Sequence, residues 1–329
     1  MGIMNAVIRI SDLQSTPIRP LNMAKDLDRV ADLVEMCFPI YLDRDGQTYI
    51  RQMRETAREL RGMPWLAHLA GSGNASSTGF VWEEGNKILG NLSLITIQHA
   101  GRPMKLIANV AVHPEHRRRG IARALTDRAL TYLHQRHESP VWLQVRDDNP
   151  AAINLYRNAG FVDQVYRTTW RARPQDLKSD HAPHRQPAFF LRRIKGDWTL
   201  QEKLLAVAYP FNIRWNLPVD FQRFVPGILQ GLTNFMDGYA LKHWRLEHRG
   251  KLMGVITWQK TTTYANNLWL ALPEPIEAEY LPFALQEVSR RLAKEHPVSI
   301  NYPAGRARAL FESLGFEQLH TLIWMKLQL

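Results

Sequence analysis

From Val110 to Leu125 the chain reads Val-Ala-Val-His-Pro-Glu-His-Arg-Arg-Arg-Gly-Ile-Ala-Arg-Ala-Leu. A short apolar strand, from about Leu106 to Val112, runs into a basic turn ending at Gly120. A helix follows, with Ile121, Leu125, Ala129 and Leu133 as its buried stripe. The first N–H groups of a helix have no partner inside it, and the peptide dipoles add partial positive charge there. With a glycine that lets an anion approach the main chain, such a turn suits phosphate. Arg117, Arg118 and Arg119 add charge, although three consecutive side chains cannot all point at one ligand. The same arginine run reads alternatively as a solvated or nucleic-acid-facing patch.

Working outward, residues 24–38 place Leu27, Val30, Ala31, Val34, Cys37 and Phe38 on one helical face, and Pro39 ends that helix. A second helix is expected from about Thr48 to Arg61, with Ile50, Met53, Ala57 and Leu60 on one side. Gly79–Trp82 and Ile88–Ile97 read as strands joined through Glu84-Gly85-Asn86, a hairpin signal. Val141–Val145 is another strand. Asn149-Pro150 opens a short helix, because asparagine caps well and proline is tolerated in the first turn; Gly160 closes it. Phe161–Arg171 reads as strand again. From about Arg173 to Pro187 the chain is polar, carries three prolines and has no apolar period.

Two motifs now carry a family resemblance. Arg117-x-x-Gly120-x-Ala122 resembles the Q/R-x-x-G-x-G/A pyrophosphate loop of the GNAT superfamily of acyl-CoA-dependent N-acetyltransferases. Asn149-x-x-Ala152-x-x-Leu155-Tyr156-x-x-x-Gly160-Phe161 resembles the same family's second signature. The resemblance covers roughly residues 16–172. It implies acetyl-CoA as acyl donor, no metal, and direct transfer to an amine in a ternary complex. By the same resemblance, Val110, Ala111 and Val112 would pair through their backbone with the pantetheine arm, like an added strand. Arg117, Arg118, Arg119, Gly120, Ile121 and Ala122 would hold the pyrophosphate. Asn149 and Ala152 would lie beside the cofactor, where the strands from Leu106 and Val141 splay apart. Tyr156 would stand near the thioester sulfur as general acid; its unperturbed pKa near 10 is roughly matched to a thiol. The backbone N–H near Val112 or Val110 could stabilise the oxyanion. Without the resemblance, Tyr156 at i, i+4 from Ala152 reads equally as a core tyrosine, and Asn149 as a cap.

The general base is not legible. Some relatives carry a glutamate in the strand before the second motif, where this chain has Gln144, which cannot take a proton. Glu83, Glu84, His113 and a water chain are the remaining candidates. His181-x-x-His184 has metal-like spacing but lies in the polar linker without a cysteine ligand.

After Ala188 the order of elements repeats. Leu155–Phe161 finds its partner in Leu310–Phe316, and Ala111–Glu115 in Leu270–Glu274. The expected fold is therefore α/β (α+β): two tandem GNAT-like domains, each a mixed, mostly antiparallel central sheet flanked by helices. The expected division is an acetyl-CoA-binding domain over 1–174, a linker over 175–187, and a degenerate GNAT-like domain over 188–329. In the second copy the arginine–glycine turn becomes Ala-Leu-Pro-Glu-Pro-Ile-Glu-Ala-Glu-Tyr from Ala271 to Tyr280, and Phe311 replaces Tyr156. Glu274, Glu277 and Glu279 would repel a pyrophosphate, and Pro275 removes a backbone donor. That copy is expected to brace the first domain and wall the acceptor pocket. Trp215, Trp244, Trp258 and Trp269 suit a core better than a ligand platform.

Composition bounds the rest. At about 150 residues per domain, 329 residues predict two domains. The single cysteine, Cys37, excludes an intramolecular disulfide and a cysteine-rich metal site, and fits a reducing, cytoplasmic setting. No apolar run is long enough for a membrane span, and the first residues lack the pattern of a signal peptide. A net charge of +11 asks for an anionic partner, of which the pyrophosphate accounts for a small part. The expected function is N-acetyl transfer to a primary amine of a small molecule or peptide. A non-catalytic acetyl-CoA sensor or scaffold is the alternative, and a nucleic-acid-binding protein is a more distant one. The acceptor, which segment 39–65 would help to set, and the oligomeric state are not written in the sequence.

Overall fold

The structure is a computed structural model. It describes residues 17–38, 44–62, 77–99, 102–177, 189–193, 198–215, 217, 219–225, 230, 233–234, 236–238, 240–292 and 296–329. The first ten residues, part of the acceptor segment, and His181 and His184 lie outside them, as do the side chains of Glu274, Pro275 and Glu277.

The chain forms two compact units, and neither is one continuous stretch. The first comprises Met1–Gln144, Asn154–Val162 and Met325–Leu329; the second comprises Val145–Ile153 and Asp163–Trp324. This differs from the division expected after residue 174, and strand β6 (Val162–Ala172) is the reason. It pairs antiparallel with β11 (Val298–Pro303), in register from Val298↔Ala172 to Pro303↔Arg167. A strand that follows the first half's last helix is thus a member of the second unit's sheet.

In the first unit, strands β1 (Ile18–Pro20), β2 (Ser77–Glu84), β3 (Lys87–His99), β4 (Arg102–Val112) and β5 (Val141–Arg146) lie in that order. All neighbours are antiparallel except β4 and β5. The β2–β3 turn is the expected hairpin: Gly85 and Asn86 have φ +52° and +62°, the left-handed pair that matches the twist of the flanking strands. Helices α1 (Met23–Cys37) and α2 (Arg44–Gly62) cover one face. Leu27, Val30, Ala31, Val34, Ile50, Met53 and Ala57 bury against Val81, Ile88 and Ala111, as their spacing predicts. Helix α3 (Ile121–Gln135) buries Ile121, Leu125, Ala129 and Leu133. It comes so close to β3 at Gly90 that a Cβ there would stand 2.6 Å from Ile121 Cγ2. Helix α4 (Pro150–Asn158) follows β5.

The start of α1 is pinned by a buried charge. Asp26 is 1% exposed and accepts from Arg19 Nη1 and Nη2 at 2.6 and 2.9 Å, and from the Asn22 N–H at 2.8 Å. Burial alone would raise its pKa, but the bonds from Arg19 and Asn22 hold it below the usual aspartate range. Its contribution to stability is therefore complete above the unfolded pKa, near 3.9, and is lost as pH falls through the lower folded value. Asp26→Asn should cost about 3 kcal/mol at neutral pH, the low end for breaking a buried pair because Arg19 can rehydrate. Urea unfolding measures this, and the cost should shrink on acidification below pH about 4.

The second unit has the strand order β12-β6-β11-β10-β9-β8-β7, with β7 (Phe189–Arg193), β8 (Leu241–His248), β9 (Lys251–Gln259), β10 (Asn266–Ala271) and β12 (Glu317–Leu327). Its helices include α5 (Trp198–Ala208), α6 (Phe211–Arg214), α7 (Glu274–Ser289) and α8 (Arg308–Ser313). The core gathers Trp170, Trp244, Leu246, Ile256, Leu270, Leu281, Ile300 and Phe311. Helix α7 begins at Glu274, directly before Pro275, because proline is tolerated in a first turn whose N–H groups need no intrahelical partner. Each unit therefore has a mixed sheet with a parallel step, β4–β5 in one and β10–β11 in the other. No helix among the described residues is long and apolar enough to cross a membrane.

Candidate functional site

The site is built where β4 and β5 part. They pair in parallel at Lys105↔Val141, Leu106↔Trp142 and Ile107↔Leu143, and the register ends there. Beyond it β4 runs on to Val112, held on its other side by β3, with Asn91↔Ala111 and Gly90↔Val112. The edge of β4 from Ala108 to Val112 is thus left without a strand partner from β5. An unpaired strand edge offers main-chain donors and acceptors to an extended ligand. Val110, Ala111 and Val112 lie on it. The Val112 carbonyl already accepts from the Cys37 thiol at 3.1 Å and from Arg117 Nε at 3.3 Å. Burial raises the Cys37 pKa, so this thiol acts as a weak donor here.

The turn after β4 is laid out for an anion. Gly120 stands at the N-cap of α3 with φ +81°, and nothing lies within 4 Å of where its Cβ would be. No side chain caps this helix and no acid lies in its first turn. The first N–H of α3 taken by the backbone is that of Ala124, which bonds Gly120 O at 2.9 Å. The N–H groups of Ile121, Ala122 and Arg123 therefore remain for a ligand, with the helix dipole behind them. Arg117 and Arg118 are exposed beside the turn, and Arg118 adopts φ +64°. Arg119 is different. Its guanidinium bonds Glu84 Oε1 at 2.9 Å and His116 Nδ1 at 2.6 Å, so its side chain is turned toward β2 and its contribution to the turn is its main chain.

His113, Glu115 and His116 each bring one potential ligand atom within 4.8 Å of the others. The Arg119 guanidinium on His116 and the exposed Arg117 and Arg118 place positive charge beside that group. The turn therefore favours an anion over a cation.

Tyr156 lies on α4 and is buried, edge-on to Phe161 with ring centroids 6.1 Å apart. Burial is the only cause that moves its pKa, and it pushes the phenol well above its usual range. The near match to a thiol anticipated from unperturbed values does not survive burial: this phenol stays protonated at any physiological pH. Asn149 is exposed and caps α4, its Oδ1 accepting the Ala152 N–H at 3.1 Å. Ala152 sits in the capped first turn.

The base candidates fare less well. Glu83 is held by Arg19 Nε at 2.6 Å and Arg29 Nη2 at 3.2 Å, which depresses its pKa and makes it a poorer proton acceptor. Glu84 is likewise depressed, first by the bond from Trp82 Nε1 and then by Arg119. Gln144 lies on β5, at the step where the register with β4 has ended.

The second unit repeats the fork and fills it with protein. Strands β10 and β11 pair at Asn266↔Val298 and Asn267↔Ser299 and go no further. Tyr209, fully buried, accepts the Leu270 N–H at 3.0 Å on the edge of β10 turned away from β9. Leu270 is the residue the repeat aligns with Ala111. Arg167 packs its guanidinium 5.1 Å from the Tyr209 ring centre and donates to Asn301 Oδ1, Asn301 O and Ala208 O at 2.7, 2.8 and 3.3 Å. Burial lowers the Arg167 pKa and raises that of Tyr209. Phe311, at the position matched to Tyr156, stacks on Trp170 at 5.2 Å in the core. Sequence reading missed Tyr209 and Arg167, since neither lies in the segments that align.

Residues 29–161 match the family model described as Acetyltransferase (GNAT) family. The [Ribosomal protein bS18]-alanine N-acetyltransferase of Escherichia coli (strain K12) is 39% identical over 62 residues, 19% of this chain and 42% of that protein. The spermidine N(1)-acetyltransferase of Vibrio cholerae serotype O1 (strain ATCC 39315 / El Tor Inaba N16961) is 35% identical over 109 residues, 30% of this chain and 59% of that protein. The chain thus spans about half the length of these curated relatives. A solved tandem GNAT protein from the clavulanic acid biosynthesis pathway superposes with a TM-score of 0.50 at 18% identity, covering 94% of this chain and 98% of that one. That likeness is one of fold.

Proposed function

We propose, from the match of residues 29–161 to the acetyltransferase (GNAT) family model, that this protein transfers an acetyl group from acetyl-CoA to a primary amine. The observation that carries the reading is the unpaired edge of β4 leading into the uncapped N-terminus of α3. An extended arm and a pyrophosphate would find hydrogen-bond donors there in the right order along the chain. Val110, Ala111 and Val112 bind the pantetheine arm by their main chain. Gly120, Ile121 and Ala122 hold the pyrophosphate with their N–H groups, and Arg117 and Arg118 with charge. Arg119 adds its main chain, and Asn149 and Ala152, in the capped first turn of α4, are assigned to the cofactor by the second family motif.

The amine nitrogen attacks the thioester carbonyl. A C–N bond forms, the C–S bond breaks, and the sulfur leaves as thiolate while the nitrogen gives up its surplus proton to water. A main-chain N–H near Val110 or Val112 stabilises the oxyanion. Tyr156, kept protonated by burial, donates a hydrogen bond to the leaving sulfur. The acceptor is a small amine or a peptide amine, the two kinds named for the relatives above, and the single cysteine suits a reducing cytoplasm.

Acetyl-CoA consumption across polyamines, amino acids, aminoglycosides and peptides tests the reading; turnover with none of them would sink it. Because Tyr209 fills the second fork, calorimetry should find one equivalent of acetyl-CoA per chain. Two equivalents would show that the second unit opens.

A further inference from the structure

One polar cluster beside the free edge of β4 has no part in holding the acyl donor. Asn91 on β3 is 0% exposed and faces α1 and α2, in a cross-strand row with Val81 and Ala111, both buried and apolar. Its Nδ2 donates to Asn109 O at 2.8 Å and to Ser93 Oγ at 3.2 Å. Only an amide NH2 can face that carbonyl, so the orientation is fixed, and Asn91 Oδ1 is left buried without a partner. A buried oxygen left unpaired is a cost, and an apolar residue would avoid it. What the amide does accomplish is local. The β3–β4 register skips between Asn91 and Ser93, and Asn109 sits in the resulting bulge with φ +50°. Asn91 ties that bulge down by its carbonyl. Asn109 then turns its own amide outward, where Nδ2 donates to the Tyr49 hydroxyl on α2 at 2.7 Å.

Position along β4 gives the pair its meaning. With the pyrophosphate at Gly120 and the arm on Val112 to Val110, the reactive end of the donor lies at the Asn109 end of the edge. We propose that Asn109 and Tyr49 bind the acceptor's primary amine there, with Asn91 as the residue that positions Asn109. This rests on the function proposed above. Asn109 Oδ1 and the Tyr49 oxygen offer lone pairs to the amine's N–H groups. Neither carries charge, and this matters. A carboxylate would hold the amine as ammonium and withhold its nucleophilic pair, whereas uncharged amide and phenol oxygens favour the ammonium far less.

The test is initial-rate kinetics with the panel amine of highest turnover as the varied acceptor. Tyr49 is 41% exposed and glycine accepts φ +50°, so Tyr49→Phe and Asn109→Gly leave the fold intact. Each should raise the KM for the amine about tenfold, the loss of one well-placed hydrogen bond, with the KM for acetyl-CoA within about twofold of the parent. An unchanged amine KM in both variants, or a parallel rise in both KM values, overturns the assignment while leaving the acetyltransferase reading standing. Absence of turnover by the parent protein with every amine overturns both.

Discussion

Tyr156→Phe should lower kcat by about 100-fold or more, the range for losing a positioned proton or hydrogen-bond donor, while acetyl-CoA binds as before. The substitution removes one oxygen from a ring that packs on Phe161 and leaves the packing in place. Because burial raises the phenol's pKa, Tyr156 is a weaker acid than the departing thiol, and full proton transfer to sulfur is uphill. The expected role is therefore a hydrogen bond that strengthens as charge collects on sulfur, an interaction stronger in the transition state than in the ground state. The predicted signature is a fall in kcat with the acetyl-CoA dissociation constant unchanged by calorimetry. No limb of the pH–rate profile should belong to this tyrosine at or below its ordinary value near 10. Equal turnover in the variant would remove Tyr156 from the chemistry.

The second large effect is expected at Gly120→Val. The glycine's φ of +81° is a conformation that a β-branched residue enters only at a cost of roughly 1–2 kcal/mol. Nothing lies within 4 Å of where the new Cβ would stand, so the chain should still fold. The added methyls would instead occupy the open space over the first N–H groups of α3, where a pyrophosphate must come close. Acetyl-CoA affinity should fall by about 100-fold or more, equivalent to losing most of the main-chain contacts to the anion. Unchanged affinity would place the pyrophosphate elsewhere. The two variants separate cleanly, since one should lose rate without affinity and the other affinity first.

Much of the site was readable because it is local. A strand, a basic turn, a glycine and a helix stripe lie within Val110–Leu133, and the signal at each position depends on its immediate neighbours. The capping role of Asn149 was readable for the same reason. What escaped reading joins distant parts of the chain. Glu83 looked like a possible base until Arg19 and Arg29 were found on it. Arg119 counted as a phosphate ligand until Glu84 and His116 claimed its guanidinium. The Asn91–Asn109–Tyr49 chain links three segments through a bulge that no local pattern announces.

By itself the sequence determined two things about this protein: that one αβ pattern occurs twice, and that the arginine–glycine turn of the first copy has no counterpart in the second. Periodicity, capping residues and glycine placement act over a few residues, and these features need no more than that. The tertiary structure decided which strand completes which sheet, and how the second fork is filled. The register of β6 against β11 is a pairing between segments far apart in the chain, chosen by hydrogen-bond alignment from Val298↔Ala172 to Pro303↔Arg167. Tyr209 on Leu270 and Arg167 on Asn301 are likewise long-range contacts, selected by the shape of a space that exists only once the strands around it have assembled.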